Sequence, residues 1–308
     1  MRTDHSIQVA WPADQAFRVS LEVNHWPEIF PPCLAAKVLE ETDTRQRIAL
    51  TARANDRVFS WESVRVIDRD RRQISFFQSK PSPLVRFMNG TWSFEPENAG
   101  CLITLTHDFE VADSVTGVVE GVGTREEATR FMLGTIEANS RKELAAIAAR
   151  LERDFWRHTF EESLIIRRPA ELVSRLLQDA ASWPWLLPHC NDVRMIYDDG
   201  AFQEFVMVVQ VGEKTEVIRS IRVLSPNRIE YFQPEPPPAL REHRGRWTVT
   251  ERPDGVEVVS WHDVVLNPEF WSGKDPQAAK HQVETAINRN SLGTMQEIAA
   301  KLEGTNHA

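Results

Sequence analysis

Gly90-Thr91-Trp92, followed fifteen residues after its Trp by the His of Thr106-His107-Asp108, has a near twin later in the chain. The twin runs Gly245-Arg246-Trp247 and is followed, again fifteen residues after its Trp, by the His of Trp261-His262-Asp263. Each stretch reads as two adjacent strands joined by a polar turn, Pro96 to Gly100 and Pro253 to Gly255. Side chains alternate across a strand, so Ile103, Leu105, His107 and Phe109 share one face. Thr104, Thr106, Asp108 and Glu110 share the other. His107 thus points inward among apolar side chains, and His262 does the same beside Val256, Val258, Ser260 and Val264. Asp108 and Asp263 fall on the opposite face, toward solvent. An inward imidazole needs a hydrogen-bond partner or a cavity, and here it recurs at the same place.

The repetition extends outward in both directions. Ile7 to Trp11 and Leu164 to Arg168 read as opening strands, each followed by a proline, Pro12 and Pro169. Short helices follow over 14–23 and 170–180. Then Trp26-Pro27-x-x-Phe30-Pro31-x-Cys33 is echoed by Trp183-Pro184-x-x-Leu187-Pro188-x-Cys190, an offset of 157 residues. Strands are predicted at 34–40, 46–54, 57–67 and 73–79, and again at 192–197, 202–210, 214–224 and 228–233. Phe77-Gln78 and Phe232-Gln233 lead into proline-bearing loops, which cannot continue a sheet and suit a cavity mouth. Each half closes on a long helix. Thr124-x-x-Glu127 is a capping box, and Asp275-Pro276 supplies a cap and a first-turn proline. The helices carry Asn139-Ser140 and Asn290-Ser291 and end on Ile147 to Glu152 and Ile298 to Glu303. The unit is therefore duplicated, with domains over 1–153 and 157–308 and no Gly/Ser-rich linker between them. An antiparallel sheet bent around a long terminal helix, with a cavity between them, is an α+β helix-grip arrangement.

Composition narrows the function. With 308 residues, 42% of them hydrophobic and 26% charged, two ordinary cores can be built. A net charge of −9 argues against a nucleic-acid surface, which would be basic. The apolar runs are too short for a membrane span and the first residues lack the core of a signal peptide. Cys33, Cys101 and Cys190 are too few and scattered for a disulfide framework or a zinc site, which suits a reducing cytoplasm. Ten Trp against two Tyr suggest flat cavity walls.

The chemistry-bearing candidates lie on the inward faces. Phe59, Trp61, Ser63, Arg65 and Ile67 share one face of their strand, and Ser220 and Arg222 repeat the pattern with Ile218 in place of the Trp. An inward guanidinium is either satisfied by a structural carboxylate or by carbonyls, or it faces a solvated cavity and binds an oxygen-rich ligand. His107 and His262 are core imidazoles bonded to a hydroxyl, or pocket acid–base groups. Trp92 and Trp247 pack the core and can form a wall. Asn139 and Asn290 stand at the edge of their helices' apolar stripes, facing either a backbone partner or a cavity. Gly121-x-Gly123 lacks the preceding strand and third glycine of a dinucleotide loop, and no phosphate loop or nucleophile elbow is present.

Taken together, the Trp-Pro-x-x-Phe-Pro stretch, Trp61-x-Ser63-x-Arg65, Gly90-Thr91-Trp92 and Thr106-His107-Asp108 resemble the aromatase/cyclases of type II aromatic polyketide synthases. The duplication resembles their di-domain subclass over essentially the whole chain. The resemblance implies two tandem START/Bet v 1-like domains. It implies regiospecific aldol cyclisation and aromatisation of a poly-β-ketone, ketoreduced at one carbonyl, carried on an acyl carrier protein. Ketosynthase and ketoreductase of the same synthase would be neighbouring partners. The family's pocket residues fall on Arg65 and Arg222, His107 and His262. Ser63 joins them as a catalytic candidate, while Trp26, Trp61, Trp92, Asn139, Trp247, Ser220 and Asn290 are candidates for substrate binding. No metal, nucleotide or flavin is required. Carrier docking is expected on arginines near the cavity mouths, Arg86, Arg241, Arg244 and Arg246. A competing function for the same fold is non-catalytic binding or transfer of hydrophobic ligands, which gains little from a cationic pocket.

Overall fold

The computed structural model describes residues 1–54, 57–98, 100–211 and 213–304. The chain divides into two units, Met1–Arg153 and Asp154–Ala308. Each is a seven-stranded antiparallel sheet with a long helix.

In the first unit β1 (Arg2–Val9) is followed by α1 (Ala13–Leu21) and the single-turn α2 (Trp26–Ile29). Then come β2 (Cys33–Thr42), β3 (Arg45–Ala54), β4 (Arg57–Asp68), β5 (Gln73–Lys80), β6 (Val85–Glu97) and β7 (Gly100–Val111), and the helix α3 (Arg125–Trp156). The sheet order is β1-β7-β6-β5-β4-β3-β2, so consecutive strands pair from β2 to β7 and the opening strand joins the last. That pairing explains why β1 begins earlier than its apolar residues suggest. Thr3 lies opposite His107 and Ile7 opposite Ile103, so backbone ladder bonds hold the polar residues 2–6 in the strand. Register shifts in β2–β3, β4–β5 and β5's neighbour β6 against β7 bend the sheet, as bulges do.

The second unit repeats the plan with β8 (Arg157–Ile166), α4 (Ala170–Gln178), α5 (Trp183–Leu186), β9 (Cys190–Asp198) and β10 (Phe202–Val211). It continues with β11 (Lys214–Ser225), β12 (Arg228–Phe232), β13 (Leu240–Arg252), β14 (Gly255–Leu266) and α6 (Pro276–Gly304), in the order β8-β14-β13-β12-β11-β10-β9.

The helix starts are built as their sequences require. Thr124 Oγ1 accepts from the Glu127 amide at 3.2 Å, while Glu127 Oε2 accepts from the amides of Thr124 and Gly123 at 3.0 and 2.9 Å. Asp275 Oδ2 accepts from the Ala278 amide at 2.8 Å. Two large apolar clusters fill most of the first unit, beside a smaller one of Val23, Ile48 and Leu50. One joins Phe17, Trp92, Phe94 and Ile103 to Leu144 and Ile147 of α3. The other joins Leu84, Met88 and Phe109 to Ala128, Met132 and Ile136. The space left between these two clusters is the cavity.

Two cavities on the inward faces of the sheets

The first unit encloses a cavity of about 210 Å³, walled by β3–β7 on one side and by Phe131 to Glu143 of α3 on the other. The second encloses one of about 210 Å³ with corresponding walls. All the residues named in the sequence as catalytic or substrate-binding candidates lie on these walls. Trp26, Trp61, Ser63, Arg65, Trp92, His107 and Asn139 line the first; Ser220, Arg222, Trp247, His262 and Asn290 line the second.

Strand β4 carries Arg65 inward, where it is 2% exposed. Its Nη1 donates to Gln46 Oε1 at 2.7 Å and its Nη2 to the Ser20 carbonyl at 2.6 Å, and the guanidinium lies 5.0 Å above the Trp26 ring. Gln46 in turn donates to Glu41 at 2.6 Å. Carbonyl oxygens thus hold this arginine, and its side chain also lines the cavity. Its hydrogen-bond partners are neutral, so desolvation dominates and pulls its pKa down to about 9, with Glu41 opposing weakly. Arg222 repeats the arrangement over Trp183 at 5.0 Å and donates from Nη2 to the Leu177 carbonyl at 2.6 Å. Its Nη1 is buried with no partner among the described residues, and burial lowers its pKa to about 10.

The two histidines differ more than their sequence contexts suggest. His107 packs edge-on against Phe76, with ring centroids 5.6 Å apart, and its Nδ1 has no partner among the described residues. Burial, then the nearby His5, lowers its pKa to about 4, so it is neutral near pH 7 and a weaker base than a free imidazole. His262 is instead bonded at both nitrogens. Nδ1 lies 2.9 Å from the Tyr231 hydroxyl and 3.3 Å from His243 Nε2; Nε2 lies 2.9 Å from Ser260 Oγ and 3.0 Å from Ser291 Oγ. Asn290 also has a backbone partner, donating to the Gln210 carbonyl at 3.4 Å.

One expectation fails. Asp263 is not solvated like Asp108: it is 3% exposed and held by Arg157 at 2.7 and 2.8 Å and by Arg244 at 2.7 Å. The flanking strands each bring an arginine over it, a neutralisation that strand alternation alone cannot reveal. Arg244, one of the arginines expected near the cavity mouth, is thereby paired within its own unit. Arg86 lies 3.6 Å from Glu110, and Arg246 stacks over Trp261 at 5.0 Å. Arg241 is engaged as well.

Sequence reading also missed four cavity groups. Glu143, on α3, lines the first cavity, and desolvation raises its carboxyl to a pKa of about 7. Its charge also contributes, after burial, to lifting the Cys33 thiol to about 11. It sits one helical turn beyond Asn139, so the helix period could have placed it on the cavity side. Gln78 and Gln233 face the two cavities with a buried carboxamide oxygen unpartnered among the described residues. Tyr231 lines the second cavity from β12.

Twin helix-grip units, each with a cavity that carries an arginine and a histidine on the inner sheet face, define the class of protein. The family model described as "Polyketide cyclase / dehydrase and lipid transport" matches residues 1–152 and again 157–303, and the chain belongs to that family. It is 29% identical to the granaticin polyketide synthase bifunctional cyclase/dehydratase of Streptomyces violaceoruber, over 97% of this chain and 93% of that one. It is 28% identical to the actinorhodin polyketide synthase bifunctional cyclase/dehydratase of Streptomyces coelicolor, over 97% and 96%. Among solved structures, the di-domain ARO/CYC BexL from the BE-7585A biosynthetic pathway is similar at 30% identity and a TM-score of 0.50, covering 97% of this chain and 98% of that one. The di-domain ARO/CYC StfQ from the steffimycin pathway shares the fold at 20% identity, with a TM-score of 0.51 over 99% and 100% of the two chains.

Proposed function

We propose that this chain is a polyketide aromatase/cyclase that closes a ring in a ketoreduced poly-β-ketone by intramolecular aldol addition and then removes water. The observation that carries the reading is the first cavity's combination of an arginine held on neutral oxygens, an imidazole with an open nitrogen and a carboxyl raised to about 7. A carbon between two carbonyls loses its proton to the Glu143 carboxylate or to neutral His107. The electron pair moves to oxygen, where Arg65 stabilises the enolate in a low-dielectric wall. That carbon bonds to a second carbonyl carbon, the new alkoxide takes a proton, and loss of a neighbouring proton with hydroxide as water gives the double bond. Ser63 and Asn139 supply further polar contacts, and Trp26, Trp61 and Trp92 fold the chain into the reactive conformer.

The first unit, residues 1–153, is the principal ring-forming pocket in this reading. It alone carries Trp61 and Glu143; the matching positions on the second unit's walls are Ile218 and Thr294. The second unit, residues 157–308, supplies a separate binding or dehydration pocket through Arg222, His262, Ser220, Trp247 and Asn290. An acyl carrier protein delivers the substrate, with the ketosynthase and ketoreductase of the same synthase as further partners. The three free cysteines fit a reducing cytoplasm. Adding the protein to a minimal synthase with its ketoreductase and analysing the products tests the proposal. A new aromatised product supports it; an unchanged spectrum would leave a ligand carrier.

A further inference from the structure

The two cavities share a backbone plan but not their inner chemistry. In the first unit Phe76 lies across from Arg65 on one side and Gly90 on the other. In the second the equivalent residue is Tyr231, across from Arg222 and Gly245. A Cβ on Gly245 would stand 2.4 Å from the tyrosine oxygen, so the ring lies flat over the glycine and its hydroxyl reaches the histidine cluster. Met88 and Leu105 are likewise replaced by His243 and Ser260 at matching positions on the last two strands.

The hydrogens around Tyr231 can be assigned. A neutral imidazole carries one N–H, and burial, followed by the neighbouring His243, keeps His262 neutral. Its Nε2 faces two buried hydroxyls, Ser260 and Ser291, at 2.9 and 3.0 Å. With Nε2 bare, both hydroxyls donate to it; with a hydrogen there, both would lose that acceptor. The hydrogen therefore belongs on Nδ1, pointing at the tyrosine oxygen 2.9 Å away. The oxygen accepts from the ring; among the described residues its own hydrogen has only His243 Nε2, at the long distance of 3.5 Å, as a protein acceptor, so a ligand oxygen in the cavity competes for it. Arg222, directly across the ladder, offers a second donor there through its buried and unpartnered Nη1.

We propose that Tyr231 and Arg222 form a two-donor oxyanion site in the second cavity, built for the enolate or phenolate oxygen of a flat apolar ligand. His262, His243, Ser260 and Ser291 are positioning residues behind the tyrosine. The first cavity lacks this pair, since Phe76 has no hydroxyl and Arg65 Nη1 is already bonded to Gln46. The identity of the ligand rests on the cyclase reading, whereas the donor geometry does not.

Titrating the full chain with 1,3-dihydroxynaphthalene at a pH where the probe is partly ionised tests the site. Tyr231→Phe is expected to weaken binding at one site roughly ten- to hundredfold, the range for a hydrogen bond to a charged group. His262→Asn, which keeps an N–H near the Nδ1 position, is expected to retain affinity that His262→Leu loses; a purely structural histidine would not separate the two. Equal binding by the native chain and Tyr231→Phe, or no binding by the native chain, would overturn the proposal. Product analysis with the synthase, run alongside, separates the two failures. An unchanged product spectrum removes the cyclase reading while the titration still decides the oxyanion site.

Discussion

At the scale of single residues, Arg65 joins stability to function. It satisfies the Ser20 carbonyl and the Gln46 carboxamide from a buried position, and each acceptor left unpaired costs about 1–3 kcal/mol. Arg65→Ala is therefore expected to abolish the aromatised product and also to lower the melting temperature, read by product analysis and circular dichroism. Glu143 gives a pH signature. Its folded pKa of about 7 lies above the 4.5 of an unperturbed glutamate, so the folded state holds the proton more tightly. The carboxyl thus favours folding at low pH, and that contribution is lost as pH rises from about 4.5 through 7. Glu143→Gln should accordingly gain stability over the native chain above pH 7 and lose that advantage in acid. His107, with its pKa depressed to about 4, drives the native chain the other way between about 4 and 6.5, so comparing variant and native melts isolates the carboxyl. The inward placement of Arg65 and His107 was legible in the sequence because strand alternation is strict. The carbonyl partners were not legible, since Ser20 and Gln46 lie 45 and 19 residues away along the chain.

At the scale of elements, the hairpins decide what reaches each cavity. Gly90 in β6 faces Phe76 in β5 so closely that a Cβ would stand 2.3 Å from the ring and 2.3 Å from the Thr106 carbonyl. Neither the backbone oxygen nor the packed ring can give way cheaply. Gly90→Ala should cost about 1–3 kcal/mol by overpacking and push Phe76 toward the cavity. A chemical-denaturation midpoint unchanged from the native chain would contradict this. The glycine announced itself in sequence only as part of the repeated Gly-x-Trp, and the repeat rather than composition exposed it. Strand ends were less legible. β1 and β8 start earlier than apolar alternation suggests, because pairing to β7 and β14 orders polar residues that carry no signal of their own. Asp263 shows the same limit, since its two arginines come from β8 and β13.

At the scale of the whole molecule, duplication has left two pockets free to specialise. His107 has an open nitrogen, with Glu143 on the facing wall of the same cavity; His262 is tied at both nitrogens. His107→Ala is expected to remove ring closure, whereas His262→Ala is expected to change the fate of a ring already closed. Product profiles of the matched pair decide the assignment. If His262→Ala eliminates the aromatised product while His107→Ala leaves it intact, the units have the opposite roles.

The buried polar atoms left without protein partners also govern exclusion. In the first cavity His107 Nδ1, Ser140 Oγ and Gln78 Oε1 are in that condition among the described residues. A saturated fatty chain of suitable girth would cover them with methylenes and forfeit their hydrogen bonds, whereas a β-ketone chain meets them in both senses, its carbonyl oxygens accepting from the Ser140 hydroxyl and its enol hydroxyls donating to Gln78 Oε1 or to a bare His107 Nδ1. Apolar walls alone would welcome both, so discrimination against ordinary membrane lipid arises from what the wrong guest leaves thirsty.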